Sequence, residues 1–516
     1  MKLMIKIFAF AAAMLMAGCG LNKPPEATVR YDLSGSPSML DPQYASHNSE
    51  IEVIANCFEG LTAASDSGEA IPACAESWEV SDNGKKYTFK LRDDIKWSNG
   101  DAVTAEDFEY GIKRLFGPAA ISPSAGDFTM IENAEKILSG ELPVSKLGVE
   151  AKSNDELVIT LDHPAPSLLT VLSHTAAAPC QKEFFEDQKG RYGLEAKNLI
   201  CNGPFAVDSW SGEYIILKRN THYRKEIKIS GVNMYINRED GLKRFKEGST
   251  DLFLIPFYRM NEAQDFKGKT VYDQSWAMVF NYNNTALSSK DVRASLAAAI
   301  KQDGNITLPD YLKQYEGIIA PNAMVFGVRY RDEAGMPQKA QLPQEIRKSF
   351  LSALNSMQLN DVGKTTLLVG GFEPGPQLGG NFQRVWQHKL SSFINMEQLE
   401  YNTLVRRVTG GDFDIAVAPM GASSSGSMDS LALFERLGGE HGEVISKLIG
   451  EAKLQDETEA AVRLLAKAEQ YLIDEYIAVP LFSAPSLFVM AEGISGVRYD
   501  SISRVMLFAD AVCIRK

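Results

Sequence analysis

The chain is short of the spacings that mark enzyme centres. It has no H-E-x-x-H and no G-x-S-x-G, the signatures of common zinc hydrolases and serine nucleophile elbows. Its 6 histidines, His47, His163, His174, His222, His388 and His441, are scattered, with no pair four residues apart. None of its 6 cysteines falls in a C-x-x-C, which argues against a zinc ribbon or a thioredoxin-type centre. Gly363-Lys364-Thr365 ends like a phosphate loop, but Gln358 stands where that loop needs glycine, and a strand pattern follows instead of a helix. Positive charge is also scarce: 53 Lys and Arg face 66 Asp and Glu, a net charge of −13. A nucleic-acid partner needs a basic surface, so this balance argues against one. These gaps describe a non-enzymatic chain without metal or cofactor.

The 516 residues exceed the soft prior of about 150 per domain. An apolar share of 45% and a charged share of 23% are ordinary for a soluble globular protein. The start of the chain is different. Lys2 and Lys6 precede an apolar run, Ile7 to Met16, of signal-peptide length and short of the roughly 20 residues a membrane helix needs. Leu15-Met16-Ala17-Gly18-Cys19 then places small residues just before a cysteine. This pattern resembles a bacterial lipoprotein signal and implies cleavage after residue 18, with Cys19 as the lipid attachment point; plain secretion is the alternative. Asn22 to Ala27 would be a polar tether, and Gly20 supplies no Asp retention signal.

The most informative stretch is Pro72 to Leu115. Tyr87, Phe89 and Leu91 alternate with polar residues, as in a half-buried strand. Ser98-Asn99-Gly100-Asp101 is a turn cluster. Thr104 and Asp107 form a capping-box pattern ahead of Phe108, Ile112 and Leu115, which share one helical face. Further along, strand and helix patterns alternate. Glu50–Phe58, Val292–Ile300, Phe382–Ile394 and the stripe Ala461, Leu465, Ala468, Leu472 read as helices. Ile215–Lys218, Val232–Ile236, Val279–Tyr282, Thr366–Val369, Phe413–Ala418 and Ala478–Phe482 read as strands. Gly370-Gly371 through Gly379-Gly380 reads as a link to the helix near Phe382, or as backbone donors facing a ligand. Such alternation implies an α/β fold.

The wording of these segments goes further. GEAIPACAESWEV and YTFKLRDDIKWSNGDAVTAEDFEYGIKRL resemble the signature region of family 5 extracellular solute-binding proteins, the oligopeptide and dipeptide receptors of ABC importers. FEGL (Phe58–Leu61), NGPFAVDSW (Asn202–Trp210), LKRNTHY (Leu217–Tyr223), FKEGSTD (Phe245–Asp251), FNYNNTALSSKDVRASLAAAI (Phe280–Ile300), FDIAV (Phe413–Val417) and AEQYLIDEYIAVPLF (Ala468–Phe482) follow in the family's order. The resemblance implies a two-lobed periplasmic-binding-protein-like α/β fold of type II (cluster C-like), with an extra α+β domain inserted in the first lobe. Carried over, lobe I is 20–60, 176–272 and 486–516, the inserted domain is 61–175, and lobe II is 273–485. Function would be hinge closure on a solute, most simply a peptide, followed by delivery to an ABC permease and ATPase complex. The receptor would be exported, lipid-anchored, facing the periplasm or cell exterior, and monomeric.

The resemblance also locates ligand residues. In oligopeptide-binding members, the strand matching Phe413–Val417 leads to an aromatic residue and then to an Asp that pairs with the peptide ammonium. Those positions fall here at Met420 and Ser423, and neither matches. A buried ammonium needs a charged partner, so Asp429 or Glu50 would have to supply it, Glu50 being alternatively a helix N-terminal residue favoured by the dipole. Ser423, Ser424 and Ser425 would offer neutral donors and acceptors. Trp276 would stack on a ligand or pack in the core. The competing readings are a neutral or anionic solute, a degenerate receptor with a signalling role, and, less well supported, a hydrolase. With Cys19 lipidated, Cys180 with Cys201 is the favoured disulfide and Cys57 with Cys74 the weaker one.

Overall fold

The computed structural model describes residues 27–65, 69–117, 121–236, 240–303, 308–420, 429–500 and 503–514. Cys19 and the signal segment therefore lie outside the described residues, as do Ser423, Ser424, Ser425 and the Asp429 side chain.

Three larger sheets organise these residues. The first runs Thr28–Asp32, Gly231–Tyr235, Tyr214–Arg219, Phe205–Trp210, with only the first pair parallel. The second is antiparallel, in the order Ala75–Ser81, Lys86–Leu91, Glu156–Thr160, Val149–Ser153. The third runs Leu252–Ile255, Ala478–Met490, Gly268–Phe280, Ile415–Met420, Thr366–Gly370, Asn395–Leu399, with the short Lys313–Gln314 strand on Ala478–Met490.

Two large apolar cores result. One gathers residues from Val29 to Leu252 and from Phe488 to Ala511. The other gathers residues from Phe257 to Ala484. The second sheet has its own strands, yet Tyr87, Phe89, Leu157 and Ile159 join the same core as the first sheet. The strands Gly268–Phe280 and Ala478–Met490 pair along most of their length, and Ala478–Met490 passes from one core to the other: Ala484 belongs to one and Phe488 to its neighbour. Both strands are longer than the Val279–Tyr282 and Ala478–Phe482 expected from sequence. The register shifts where Pro480 and Pro485 lie, and such irregularities are where a strand tolerates proline.

The motif residues are mostly structural ties. Tyr87, Phe89 and Leu91 are buried on one face of their strand. Asp107 caps its helix by accepting from Thr104 N (2.9 Å) and also accepts from the fully buried Trp97 Nε1 (3.1 Å). The turn Ser98–Gly100 docks on the NGPF segment, with Ser98 N donating to Cys201 O (2.7 Å) and Cys201 N donating to Ser98 Oγ (3.2 Å). Glu59, from FEGL, is the centre of a polar knot. Its carboxylate accepts from Tyr223 Oη (2.8 Å) and from Arg224 Nη2 (2.7 Å), while Asn202 Nδ2 donates to its carbonyl (2.8 Å). Gly203 fits because a Cβ there would lie 2.7 Å from the Cys57 carbonyl carbon. In the other half, Asn281 Nδ2 donates to Phe413 O (2.8 Å) and Asn284 Nδ2 to Asp414 Oδ1 (2.8 Å), tying FNYNN to FDIAV.

Two expectations need correction. The five described cysteines are all free thiols, so no disulfide joins Cys180 to Cys201 or Cys57 to Cys74. Cys180 Sγ accepts from Arg114 Nη1 (3.4 Å), and Cys74 Sγ donates to Glu59 Oε2 (3.5 Å). Burial pushes the Cys180 thiol up to about 12. The helix expected from Phe382 starts earlier, spanning Gly375–Leu390 and absorbing Gly379 and Gly380. A Cβ at Gly379 would collide with Met396 Sδ, so glycine there lets the helix lie close on the sheet.

Candidate ligand-binding site

Within the third sheet, Ile415–Met420, Thr366–Gly370 and Asn395–Leu399 are parallel, and the chain visits them in the order central, one side, other side. Where strand order reverses in this way, the carboxyl ends of the strands frame a crevice, the usual ligand position in open α/β sheets. Each end delivers a distinctive residue. Phe372 follows Gly370, Tyr401 follows Leu399, and Met420 ends its strand. Gly370 leaves room for this, since a Cβ there would meet the Phe372 ring at 2.5 Å.

Beside these ends lies an aromatic cluster. Trp276 stacks on Phe482 (5.7 Å between centroids, 11° between planes) and sits edge-on to Phe257 (5.2 Å) and Phe372 (6.3 Å). Tyr401 and Tyr258 complete it, Tyr258 lying 4.7 Å from Phe372 and 6.2 Å from Tyr401. Trp276, Phe257 and Phe482 are buried, whereas Tyr258, Phe372 and Tyr401 are only partly so. Burial raises the Tyr258 hydroxyl above its ordinary range, with the Glu400 carboxylate adding to the shift against Arg259. Gln274 Nε2 donates to Tyr401 Oη (3.0 Å). Trp276 is 2% exposed, and its Nε1–H has no hydrogen-bond partner among the described residues. An unpaired buried donor of this kind costs about 1–3 kcal/mol.

The residues expected from sequence divide into two places. Trp276 and Met420 lie on neighbouring strands at the same end of the sheet, Met420 pairing with Ser275 and Trp276 with Pro419, so their side chains leave opposite faces. Glu50 lies in the first core, in the helix Asn48–Cys57, and is buried rather than solvated. Its Oε1 accepts from Ser38 N (3.1 Å) and Ser38 Oγ (2.6 Å), and its Oε2 from Ser46 N (3.1 Å) and His47 N (3.2 Å). Burial works to raise this carboxyl, but the donors outweigh it and hold it below its usual range. Four internal partners make it a capping carboxylate, with little capacity left for a ligand ammonium. Sequence reasoning missed Phe257, Tyr258, Phe372, Tyr401 and Phe482. The signal that could have found Phe372 and Tyr401 is their position two residues past a strand end. Among the described residues, no three His, Cys, Asp or Glu side chains cluster as a metal site, and no helix is long and apolar enough to cross a membrane.

Comparison with known proteins bears on this geometry. Residues 69–440 match the model of the bacterial extracellular solute-binding proteins, family 5 Middle. The chain is 25% identical over 484 residues to the dipeptide-binding protein DppE of Bacillus subtilis, covering 89% of this chain and 87% of that one. It is 26% identical over 423 residues to a probable deoxycholate-binding periplasmic protein, YgiS, of Escherichia coli, covering 78% and 77%. Its fold matches the crystal structure of Haemophilus influenzae OppA in complex with RPPGFSPFR, with a TM-score of 0.73 and 20% identity over 95% of this chain and 99% of that one. With the family model spanning well over half of its length, the chain belongs to the family 5 bacterial extracellular solute-binding proteins.

Proposed function

We propose that the chain captures a peptide between two lobes and delivers it, unchanged, to an ABC permease and its ATPase. Lobe I comprises 20–60, 176–272 and 486–516 with 61–175 inserted, and lobe II comprises 273–485. The observation that carries this reading is the convergence of Phe372, Tyr401 and Met420 at three parallel strand ends, beside a buried indole N–H without a partner. A peptide carbonyl reaching Trp276 Nε1 would satisfy that donor, and the partly buried Tyr258, Phe372 and Tyr401 rings would flank its side chains. The paired strands Gly268–Phe280 and Ala478–Met490, the second of which runs between the cores, would supply the hinge. Closure then follows only from a ligand that touches both lobes, because ligand shifts a conformational balance by its differential affinity alone. Peptide relatives such as DppE support the ligand class. The chain acts as a monomer without catalysis, exported and held to the membrane by lipid on Cys19; Cys19→Ala should move it from the membrane fraction to the soluble fraction.

The test is incubation with a mixture of short peptides, gel filtration and mass spectrometry of what stays bound. Intact peptides on the protein fit the proposal; cleavage products, or none retained, overturn it. A second reading, a solute without a free ammonium, draws on Ser423 standing where peptide receptors carry Asp and on the relative named for deoxycholate. It predicts retention of a bile acid in preference to peptides.

A further inference from the structure

The strands Thr366–Gly370 and Asn395–Leu399 run side by side, with Gly370 opposite Leu399, and each hands over to a helix, Gly375–Leu390 and Tyr401–Thr409. Helix N-termini carry partial positive charge and by themselves favour an anion. Here each link carries a glutamate: Glu373 follows Phe372, and Glu400 precedes Tyr401. Both residues are exposed, and neither side chain is in an ion pair or a hydrogen bond among the described residues. Glu400 stands at the N-cap of its helix yet makes no cap hydrogen bond. Both differ in this from Glu50, whose carboxylate is occupied by four donors.

The arginines on the neighbouring segments leave these carboxylates alone. Arg259, next to Tyr258, donates through Nη2 to Asp240 Oδ2 (2.8 Å) and through Nε to Glu262 Oε1 (2.7 Å). Arg407 is held by Glu397 (2.8 Å) and Asp412 (2.9 Å), and Arg406 lies with it in the last turn of its helix, away from the strand ends. The strand ends therefore keep two uncompensated negative charges. Beside them are ring faces: Phe372 lies 6.1 Å from Tyr401 and 4.7 Å from Tyr258, and all three rings are only partly buried. Such faces attract a cation within about 6 Å. Glu400 already acts on this cluster, adding to the rise that burial causes at the Tyr258 hydroxyl. An independent sign of a ligand is the buried, partnerless indole N–H of Trp276, whose ring sits edge-on to Phe372.

We propose that this end of the site selects an organic cation, either a lysine or arginine side chain or a peptide's α-ammonium group, with Glu373 and Glu400 as its counter-charges and Tyr258, Phe372 and Tyr401 as the surface it rests on. With a peptide lying over the strand ends, the reading on which this rests, the charge it presents here is positive. A ligand carboxylate in the same place would meet two like charges.

The experiment is calorimetric binding to the full chain at low salt. The probes are the pentapeptide Ala-Ala-Lys-Ala-Ala, its counterparts with norleucine or glutamate in place of lysine, and the N-acetylated form of each. The expected result is that removing one positive charge weakens binding about tenfold, with the glutamate peptide the weakest of the three. Loss on replacing lysine assigns the cation to the side chain; loss on acetylation assigns it to the α-ammonium group. Glu373→Gln combined with Glu400→Gln should level the cationic and neutral forms, and Glu373→Lys combined with Glu400→Lys should favour the glutamate peptide. Both positions are exposed, so melting temperatures of these variants should stay close to that of the unaltered chain. Equal affinity for all six probes, a preference for the glutamate peptide in the unaltered chain, or a cation preference that survives the double glutamine variant overturns this inference alone. Failure of every probe to bind overturns the transport reading and this inference with it.

Discussion

The knot around Glu59 and the ring cluster around Trp276 are both buried and both assembled from distant segments, but they treat polar atoms in opposite ways. At Glu59 the carboxylate and carbonyl have partners from NGPF and the Tyr223–Arg224 pair. At Trp276 the one polar atom of the side chain is left without any among the described residues. Satisfied polar networks rigidify a scaffold, whereas a buried unpaired donor is a standing cost that a ligand can offset. On the proposed function, the first region is architecture and the second is where a ligand would bind.

The largest effect should come from breaking the knot. Arg224→Ala strands the Glu59 carboxylate, with side chains only 9% and 13% exposed, and should cost about 4 kcal/mol in urea unfolding. Peptide retention at low temperature should survive. Next is Glu52, whose carboxyl burial raises from 4.5 to about 7 against donation from Met506 N and Tyr31 Oη. The folded chain therefore holds this proton more tightly than the unfolded chain. The associated stability is full below pH 4.5 and is lost as pH rises through 7, a swing of roughly 3 kcal/mol. Melting temperatures of the unaltered chain and of Glu52→Gln, compared across that window, should diverge in slope. Gly203→Ala forces a methyl against the Cys57 backbone and should cost about 2 kcal/mol by the same unfolding assay. The smallest stability effect belongs to Trp276→Phe, which removes an unpaired donor and should shift unfolding by less than about 1 kcal/mol. Its affinity for a retained peptide, measured by calorimetry, should nonetheless fall about tenfold. A large stability loss with unchanged affinity would instead make Trp276 a core residue like those around Glu59.

The contrast also explains what could be read from sequence. The scaffold was legible because local rules govern it: alternation at Tyr87, Phe89 and Leu91, the capping box at Thr104 and Asp107, and the apolar stripe from Ala461 to Leu472 all appear where expected. Glu50 was visible as acidic and near a helix start, but not that Ser38 would fold over it. The helix at Gly375 hid behind glycines whose reason is the close approach of Met396, a partner distant in sequence. The rings failed for the same cause. Phe257, Phe372, Tyr401 and Phe482 carry no shared spacing, and only the strand order brings them to one place.

The central claim is that ligand sits over the ends of the parallel strands. Hydrogen exchange of the full chain, with and without a saturating peptide retained from the mixture, tests it most directly. The account predicts new protection in the segments after the strand ends, 371–376 and 400–405, and in 274–277, with the amides around Glu59 unchanged. Protection confined to other segments, or none in these three, would contradict it.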